Sequence, residues 1–200
     1  MASIYRSLSI NPAKQENYVV FCHSHLIRTV VTANPSVVRK WVQRTRCYNH
    51  YLLSLGRRLV VGLGVQWSPG GSSPAATLQL CVHNHCLIFQ LLHATSYPAE
   101  LRHFLSDPNV IFVGFWNYRD TDLLENSHYH LRVSRLVECA TWRASIEALA
   151  EEVLGIDGLK KEKAVGRSKW DERWLTKEQV EYACIDVLFS LLMAKALRVW

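Results

Sequence analysis

The positions of apolar residues predict short strands in the first part of the chain. Residues 18–22 and 26–32 are rich in β-branched and aromatic side chains, and a polar break at 23–25 separates them, which indicates a leading hairpin. Asn34 and Pro35 then supply the cap and first-turn chemistry of a helix that is predicted from Val37 to about Arg46.

Three further strands are predicted to form an antiparallel unit. The first is Leu59–Trp67, which a turn-rich segment from Pro69 to Ala76 separates from the second. The second and third, LQLCV and CLIFQLL, flank Asn84 and its neighbours, which have the composition of a hairpin turn.

The hydrophobic period changes in the second half of the chain. Helices are predicted at 98–105, 120–129 and 145–154, with a buried strand at 110–115 and a short strand at 136–137 between them. Thr176 and Gln179 form a capping box that opens the longest predicted helix, which runs to about Leu197. This order predicts an α/β fold in which helices flank a mixed central sheet, and we treat residues 1–200 as one domain.

Composition narrows the class of protein. Apolar residues make up 49% and charged residues 20% of the chain, as in ordinary globular domains. Because no apolar run reaches the roughly 18 residues of a membrane span and the N-terminus lacks an apolar signal core, we expect a protein of the cytoplasm, or also of the nucleus, with no membrane partner. Six cysteines without a CxxC pair favour reduced thiols, and the Cys81–Cys86 segment favours a hairpin over a zinc site.

Charge points to a polyanionic partner. The formal net charge is +6, and the segment 159–173 contains six Lys or Arg residues, three acidic residues and a tryptophan. A basic loop with an aromatic ring is suited to single-stranded nucleic acid, whereas a solvated surface loop is an equally frequent origin of such a run. The candidate nucleic-acid-binding residues are Lys160, Lys161, Lys163, Arg167, Lys169 and Trp170.

Three residues are candidates for chemistry. Tyr182 and Asp186 are four residues apart on the last helix, which places a phenol and a carboxylate on one helical face. Asp120 follows the buried strand IFVGF and opens a helix, where capping of that helix would alone explain a carboxylate. Each feature is weak by itself, and their joint arrangement is more informative.

The segments VVGLGVQW, FVGFWNYRD and SKWDERWLTKEQVEYACID, in this order, resemble the three motifs of the DEDDy branch of the DnaQ-like, ribonuclease H-like exonucleases. Within this branch the sequence resembles plant proteins that are similar to the Werner-syndrome helicase exonuclease, and among these the RISC-interacting clearing 3′-to-5′ exoribonucleases. The resemblance covers residues 17–197. It implies a metal-dependent 3′-to-5′ exoribonuclease of single-stranded RNA, which assembles as a ring-like homo-oligomer and clears RNA fragments from Argonaute complexes.

The resemblance assigns roles to particular residues. It places the second aspartate of the family on Asp120, its tyrosine on Tyr182 and its last aspartate on Asp186, with Asp120 and Asp186 as ligands of Mg²⁺ or Mn²⁺. The first motif should read D-x-E, but these positions are Gly64 and Gln66. Because Mg²⁺ needs only one or two protein carboxylates when substrate phosphates are present, we expect one weakly held ion, with the amide oxygen of Gln66 as a neutral ligand.

The carboxylates missing from the first motif could come from elsewhere. Asp122 and Glu125 on the predicted 120–129 helix, or an acidic group of a neighbouring subunit, could replace them. His128 and His130 are nearby, although a surface pair of histidines is the simpler interpretation. The alternatives to an enzyme are a nucleic-acid-binding module without turnover, which Gly64 and Gln66 favour, and a scaffold subunit that pairs with an active relative.

Overall fold

One eight-stranded mixed β-sheet organises the described part of the chain. The computed structural model describes residues 2–7, 15–70, 74–139 and 145–198, with the backbone alone at 2, 6 and 7. The strands are β1 (Ala2–Ser7), β2 (Glu16–Cys22), β3 (His25–Thr32), β4 (Leu59–Gln66), β5 (Thr77–Val82), β6 (His85–Gln90), β7 (Val110–Gly114) and β8 (Leu136–Glu138).

The order of the strands is β1-β2-β3-β6-β5-β4-β7-β8. The pairs β1–β2, β2–β3, β4–β5 and β5–β6 are antiparallel, and two-residue turns join β2 to β3 and β5 to β6. The pairs β3–β6, β4–β7 and β7–β8 are parallel. The predicted antiparallel unit of three strands is therefore confirmed as β4–β5–β6.

The helices cover both faces of this sheet. They are α1 (Pro35–Tyr48), α2 (His50–Ser54), α3 (Ala99–Leu105), α4 (Asp120–Glu125), α5 (Ile146–Leu154), α6 (Lys163–Gly166) and α7 (Lys177–Leu197). Two predicted caps are confirmed: Asn34 accepts a hydrogen bond from the Ser36 N–H at 2.9 Å, and Thr176 and Gln179 form the capping box of α7. The predicted α/β architecture, a mixed sheet flanked by helices, is confirmed.

The helix α7 lies against the centre of the sheet and forms much of the core. Val180, Ala183, Val187 and Leu191 are buried and belong to the cluster that joins α7 to β2, β3, β5 and β6. The approach is closest at Gly62 of β4, where a Cβ atom would overlap the carbonyl of Val187. On the other face, α1 and α3 pack on β4–β7 through residues such as Trp41, Phe104 and Phe112.

The structure differs from the sequence prediction in several elements. The strand β1 and the short helices α2 and α6 were not predicted, and the helix at Asp120 ends at Glu125 rather than near Tyr129. Residues 71–73 of the predicted loop lie outside the described residues. All six cysteines are free thiols, of which Cys47 alone is exposed. Within the ranges given above, no helix has both the length and the apolar character to cross a membrane.

Candidate active site

A cleft of about 350 Å³ lies at the carboxyl end of β4. Four parts of the chain line this cleft: the end of β4, the segment after β7, the segment around α6, and one face of α7. Its lining includes Gly64, Gln66, Trp67, Phe115, Trp116, Asp120, Lys161, Lys163, Gly166, Arg167, Tyr182 and Asp186. The structure therefore brings together Gln66, Asp120, Tyr182 and Asp186, while their catalytic roles stay predictions.

The chain after β7 is fixed by a carboxylate from β8. The Glu138 carboxylate accepts hydrogen bonds from the backbone N–H groups of Trp116, at 3.0 Å, and Asn117, at 2.9 Å. Trp116 has a left-handed backbone with φ of 51°, and a short 3₁₀ turn at Asn117–Arg119 follows it. This sharp turn directs Asp120 back towards β4.

Asp120 is buried, with 5% of its surface exposed. The backbone N–H of Val65 is directed at its carboxylate, and the helix α4 has no side-chain cap, so the alternative explanation of this carboxylate as a helix cap does not hold. The physical reason is that β4 continues beyond Gly62, the last of its residues that pairs with β7. The backbone N–H of Val65 therefore has no partner on β7, and the Asp120 carboxylate takes the place of that partner. Burial, the charge of Asp186 and the charge of Glu138 raise the Asp120 pKa from 3.8 to about 8.

Asp186 has a cationic neighbour inside the cleft. The ammonium group of Lys161 forms an ion pair with its carboxylate, and the Lys161 side chain is only 6% exposed. The same ammonium lies 3.8 Å from the centre of the Tyr182 ring, which is a cation–π contact. The amide nitrogen of Gln66 lies 3.4 Å from the second carboxylate oxygen of Asp186. Lys161 is therefore part of the cleft itself and not of an exposed loop.

Tyr182 is half-buried one helical turn before Asp186. Burial and the charge of Asp186 raise the pKa of its phenol, and Lys161 opposes this effect, so the hydroxyl is protonated at neutral pH. Gly166 at the end of α6 contacts the phenol so closely that a Cβ atom there would overlap its oxygen. The indole N–H of Trp170 donates to the carbonyl of Gly166 at 3.2 Å, which fixes this contact.

The two positions of the first motif face α7. A Cβ atom on Gly64 would lie 3.0 Å from Gln79 Oε1 on β5 and 3.2 Å from a methyl group of Val187. Gln79 Oε1 is the one buried side-chain N or O atom of the described residues that has no hydrogen-bond partner. A carboxylate at position 64 would therefore meet a second oxygen as well as a methyl group, and both would have to move to admit it.

The six predicted nucleic-acid-binding residues divide into three groups. Lys160, Lys163, Arg167 and Lys169 are exposed, and Lys163 and Arg167 line the cleft. Lys161 is enclosed in the cleft, as described above. The prediction for Trp170 was wrong, because its ring is 1% exposed and packs in the core, with its centre 6.0 Å from that of Tyr182.

Aromatic rings at the mouth of the cleft were missed from the sequence. Trp67, Phe115 and Trp116 line it, and Trp116 is 40% exposed. Such rings offer stacking surfaces to bases without sequence preference. The signal that could have identified them is the position of GFW and QW directly after buried strands, where loop residues reach the edge of a sheet.

The donor set fits one divalent cation. Asp120 and Asp186 are close enough for one charge to raise the pKa of the other residue, and a cation between such groups relieves their repulsion. These residues do not fit a centre with two metal ions, because Gly64 has no side chain to bind a metal ion and the Asp186 carboxylate is already paired with Lys161. The described part of the chain contains no cluster of three or more His, Cys, Asp or Glu residues that could hold a metal ion.

The mixed sheet with its flanking helices is a ribonuclease H-like fold, and Asp120 and Asp186 line one cleft at the carboxyl end of its strand β4. A sequence profile described as 3′-5′ exonuclease matches residues 68–199, so the chain belongs to this family. The matched range begins just after Gly64 and Gln66. Divalent metal dependence is typical of the family.

Individual proteins support this assignment. The chain is 30% identical over 153 residues to the mouse bifunctional 3′-5′ exonuclease/ATP-dependent helicase WRN, covering 69% of this chain and 11% of that protein. It is 26% identical over 201 residues to the human exonuclease mut-7 homolog, covering 82% of this chain and 22% of that protein. The chain thus spans about a quarter or less of these two relatives.

Solved structures show the same fold. Escherichia coli RNase D, described as an exoribonuclease involved in structured RNA processing, superposes with a TM-score of 0.69 at 18% identity, over 84% of this chain and 44% of that one. The EXO domain of Aedes aegypti Nibbler superposes with a TM-score of 0.66 at 15% identity, over 84% of this chain and 86% of that one. At these identities the similarity establishes the fold alone.

Proposed function

We propose that this chain is a 3′-to-5′ exoribonuclease that removes nucleotides from the 3′ end of single-stranded RNA. The observation that carries this proposal is the convergence of Asp120, Tyr182 and Asp186 in one cleft whose mouth holds exposed cations and aromatic rings. Membership of the 3′-5′ exonuclease family supports the direction of cleavage. The choice of RNA is supported by the fold shared with RNase D.

In this proposal, different residues of the cleft bind the metal ion, orient the attacking water and bind the RNA strand. Asp120 and Asp186 would hold one Mg²⁺ or Mn²⁺, which would stabilise charge on the phosphate and lower the pKa of a bound water. The protonated Tyr182 hydroxyl donates a hydrogen bond that orients the attacking water. Lys163 and Arg167 bind backbone phosphates, and Trp116 stacks on a terminal base.

The Lys161 ammonium has two possible partners in this cleft, the Asp186 carboxylate and a phosphate of the substrate. When this ammonium pairs with Asp186, the cation-binding carboxylate is already neutralised. If the Lys161 side chain moved to pair with a phosphate of the substrate, it would help to bind the strand, and Asp186 would become available to bind the divalent cation. RNA and the divalent cation therefore enter cooperatively, and weak cation binding is expected when RNA is absent.

Binding of RNA ends without turnover is the second candidate function. The observations that favour it are the absence of a side-chain ligand at Gly64 and the ion pair of Lys161 with Asp186. In that case the cleft would retain a 3′ end through its cations and rings, and Asp120 would serve to join the segment after β7 to β4.

Degradation of an RNA labelled at its 5′ end separates the two candidates. We expect stepwise shortening with Mg²⁺ or Mn²⁺, loss of shortening in Asp186→Ala, and no loss in Asp122→Asn. Asp122 is a matched control because its carboxylate is exposed on α4 and does not line the cleft, so we do not expect it to replace the missing carboxylates of the first motif. A 3′-phosphate on the RNA should block the reaction of an enzyme that needs a free end. If the wild-type protein and Asp186→Ala bind the RNA and leave it equally intact, the binding module is correct.

The biological setting belongs to the same proposal. We propose that the protein acts in the cytoplasm, or also in the nucleus, on RNA fragments left by Argonaute cleavage, and that it works as a homo-oligomer. The proposed compartment rests on the sequence, whose six cysteines include no CxxC pair. Copurification with an Argonaute protein that is sensitive to ribonuclease treatment, and the mass of the purified protein by light scattering, test the two parts separately.

A further inference from the structure

A second concave surface lies on the face of the sheet opposite to α7. This groove has a volume of about 660 Å³ and runs between α1 and the outer strands β2 and β3. It exists because α1 packs through Val38, Trp41 and Val42 on the central strands, while the sheet extends sideways by three more strands. We call it the α1 groove; its principal lining residues are Asn17, Arg28, Lys40, Arg44, Tyr48 and His83.

The α1 groove is strongly cationic. Arg28 projects from β3, and Lys40 and Arg44 lie one helical turn apart on α1, so three positive charges follow its two walls. None of its described lining residues is Asp or Glu, and none of the ion pairs between described residues involves these three cations. Such a field attracts a polyanion and repels a cationic partner.

The groove also offers a ring and hydrogen-bonding groups. Tyr48 at the end of α1 lines the groove and is 81% exposed, so its ring is accessible to a ligand. Asn17 is partly exposed on the opposite wall, and the side chains of Asn49 and His83 are hydrogen-bonded to each other at 3.0 Å at the base of the groove. Cations for phosphates and a ring for a base are the combination that single strands require.

We infer that the α1 groove is a second binding site for single-stranded nucleic acid, on the face opposite to the cleft. The site recognises the phosphodiester backbone, needs no strand end, and needs no divalent cation. It therefore retains an internal part of a strand and stands independently of any hydrolysis in the cleft.

Circular single-stranded RNA tests this inference without interference from the cleft, because a circle has no 3′ end. We expect a labelled circle of 20 uridines to bind, and Arg28→Gln, Lys40→Gln and Arg44→Gln together to lower its affinity tenfold or more. The slope of log affinity against log salt should fall by about 2, since each lost phosphate contact removes about 0.7. Tyr48→Ala should weaken binding about fivefold or more through lost stacking.

The matched control removes three cations elsewhere. Arg57, Arg58 and Arg135 are exposed and lie just before β4 and β8, and their combined replacement by Gln should leave affinity for the circle nearly unchanged. Thermal unfolding of every variant verifies the fold, and Arg44→Gln against Arg57→Gln serves as a single-site pair if the triple variant does not fold. Equal losses in the two triple variants would overturn the inference, because binding would then follow net charge alone.

Two further outcomes separate nucleic-acid binding in the α1 groove from general anion binding and from hydrolysis in the cleft. If poly-glutamate binds as tightly as the circle, and if its binding is also lost when Arg28, Lys40 and Arg44 are replaced, the assignment of the groove to nucleic acid is overturned. If linear RNA is never shortened but the circle still depends on Arg28, Lys40 and Arg44, the proposed hydrolysis fails and the α1 groove stands.

Discussion

Replacement of Asp120 by Asn should stabilise the protein at high pH. The Asp120 pKa is raised from 3.8 to about 8, chiefly by burial and then by Asp186, so the folded state holds a proton that the unfolded state releases. Stability is therefore lost as the pH rises from about 4 to about 8. At about 1.4 kcal/mol for each pH unit, the upper limit of this loss is about 6 kcal/mol above pH 8, and relaxation around the carboxylate will reduce it.

Urea unfolding at pH 5, 7 and 9 measures this effect. We expect Asp120→Asn and the wild-type protein to differ little at pH 5, and the variant to be more stable by a few kcal/mol at pH 9. Asp122→Asn controls for the loss of a carboxylate from the same helix. Addition of Mg²⁺ at pH 9 should stabilise the wild-type protein and not Asp120→Asn, because a cation that binds only the folded state adds stability by mass action. Parallel stability curves for the two proteins would refute the assigned environment of Asp120.

Three further predictions concern close contacts. Gly166→Ala should displace the Tyr182 hydroxyl by on the order of 1 Å and lower kcat for RNA by as much as ~100-fold, with little loss of stability. In a Tyr182→Phe background the same substitution should have little further effect on kcat, whereas additive effects of the two substitutions on kcat would contradict the contact. Gly62→Ala should push α7 off β4 and prevent stable folding, as circular dichroism would show, whereas a cooperative melt near that of the wild-type protein would contradict the close approach. Gln179→Ala should cost about 1–3 kcal/mol in urea unfolding, because its amide nitrogen bonds Ser168 and the Lys169 carbonyl, and a loss below 0.5 kcal/mol would argue against that link.

The sequence predicts those elements whose local signals agree with their packing. The capping box at Thr176, the cap at Asn34 and the β5–β6 hairpin all have chemistry that acts within a few residues, and each is observed where predicted. Strand β1 was missed because its sequence, ASIYRS, has no clear alternation, and its conformation comes from pairing along the edge of β2.

The sequence predicts which residues come together in the cleft, but it does not predict their burial or their hydrogen-bond and ion-pair partners. The spacing of Tyr182 and Asp186 on one helix identified a real juxtaposition, whereas the partner of Asp120 is a backbone N–H more than fifty residues away that no local pattern reveals. Trp170 shows the limit of composition, because a ring within a basic run was assigned to the surface although it fills the core beneath α6. Lys161 illustrates the same limit, since charge patterns do not tell whether a cation faces solvent or a carboxylate.

The position of α7 against β4 determines when the cleft can form during synthesis of the chain. Gln66 and Asp186 are 120 residues apart, and the cleft has no rear wall until α7 docks. A nascent chain that still holds residues 177–197 inside the ribosome therefore exposes one face of its central strands and has an incomplete cleft. Emergence of α7 from the exit tunnel completes the core and the cleft together, so products truncated before α7 are expected to be substrates for chaperones and proteases.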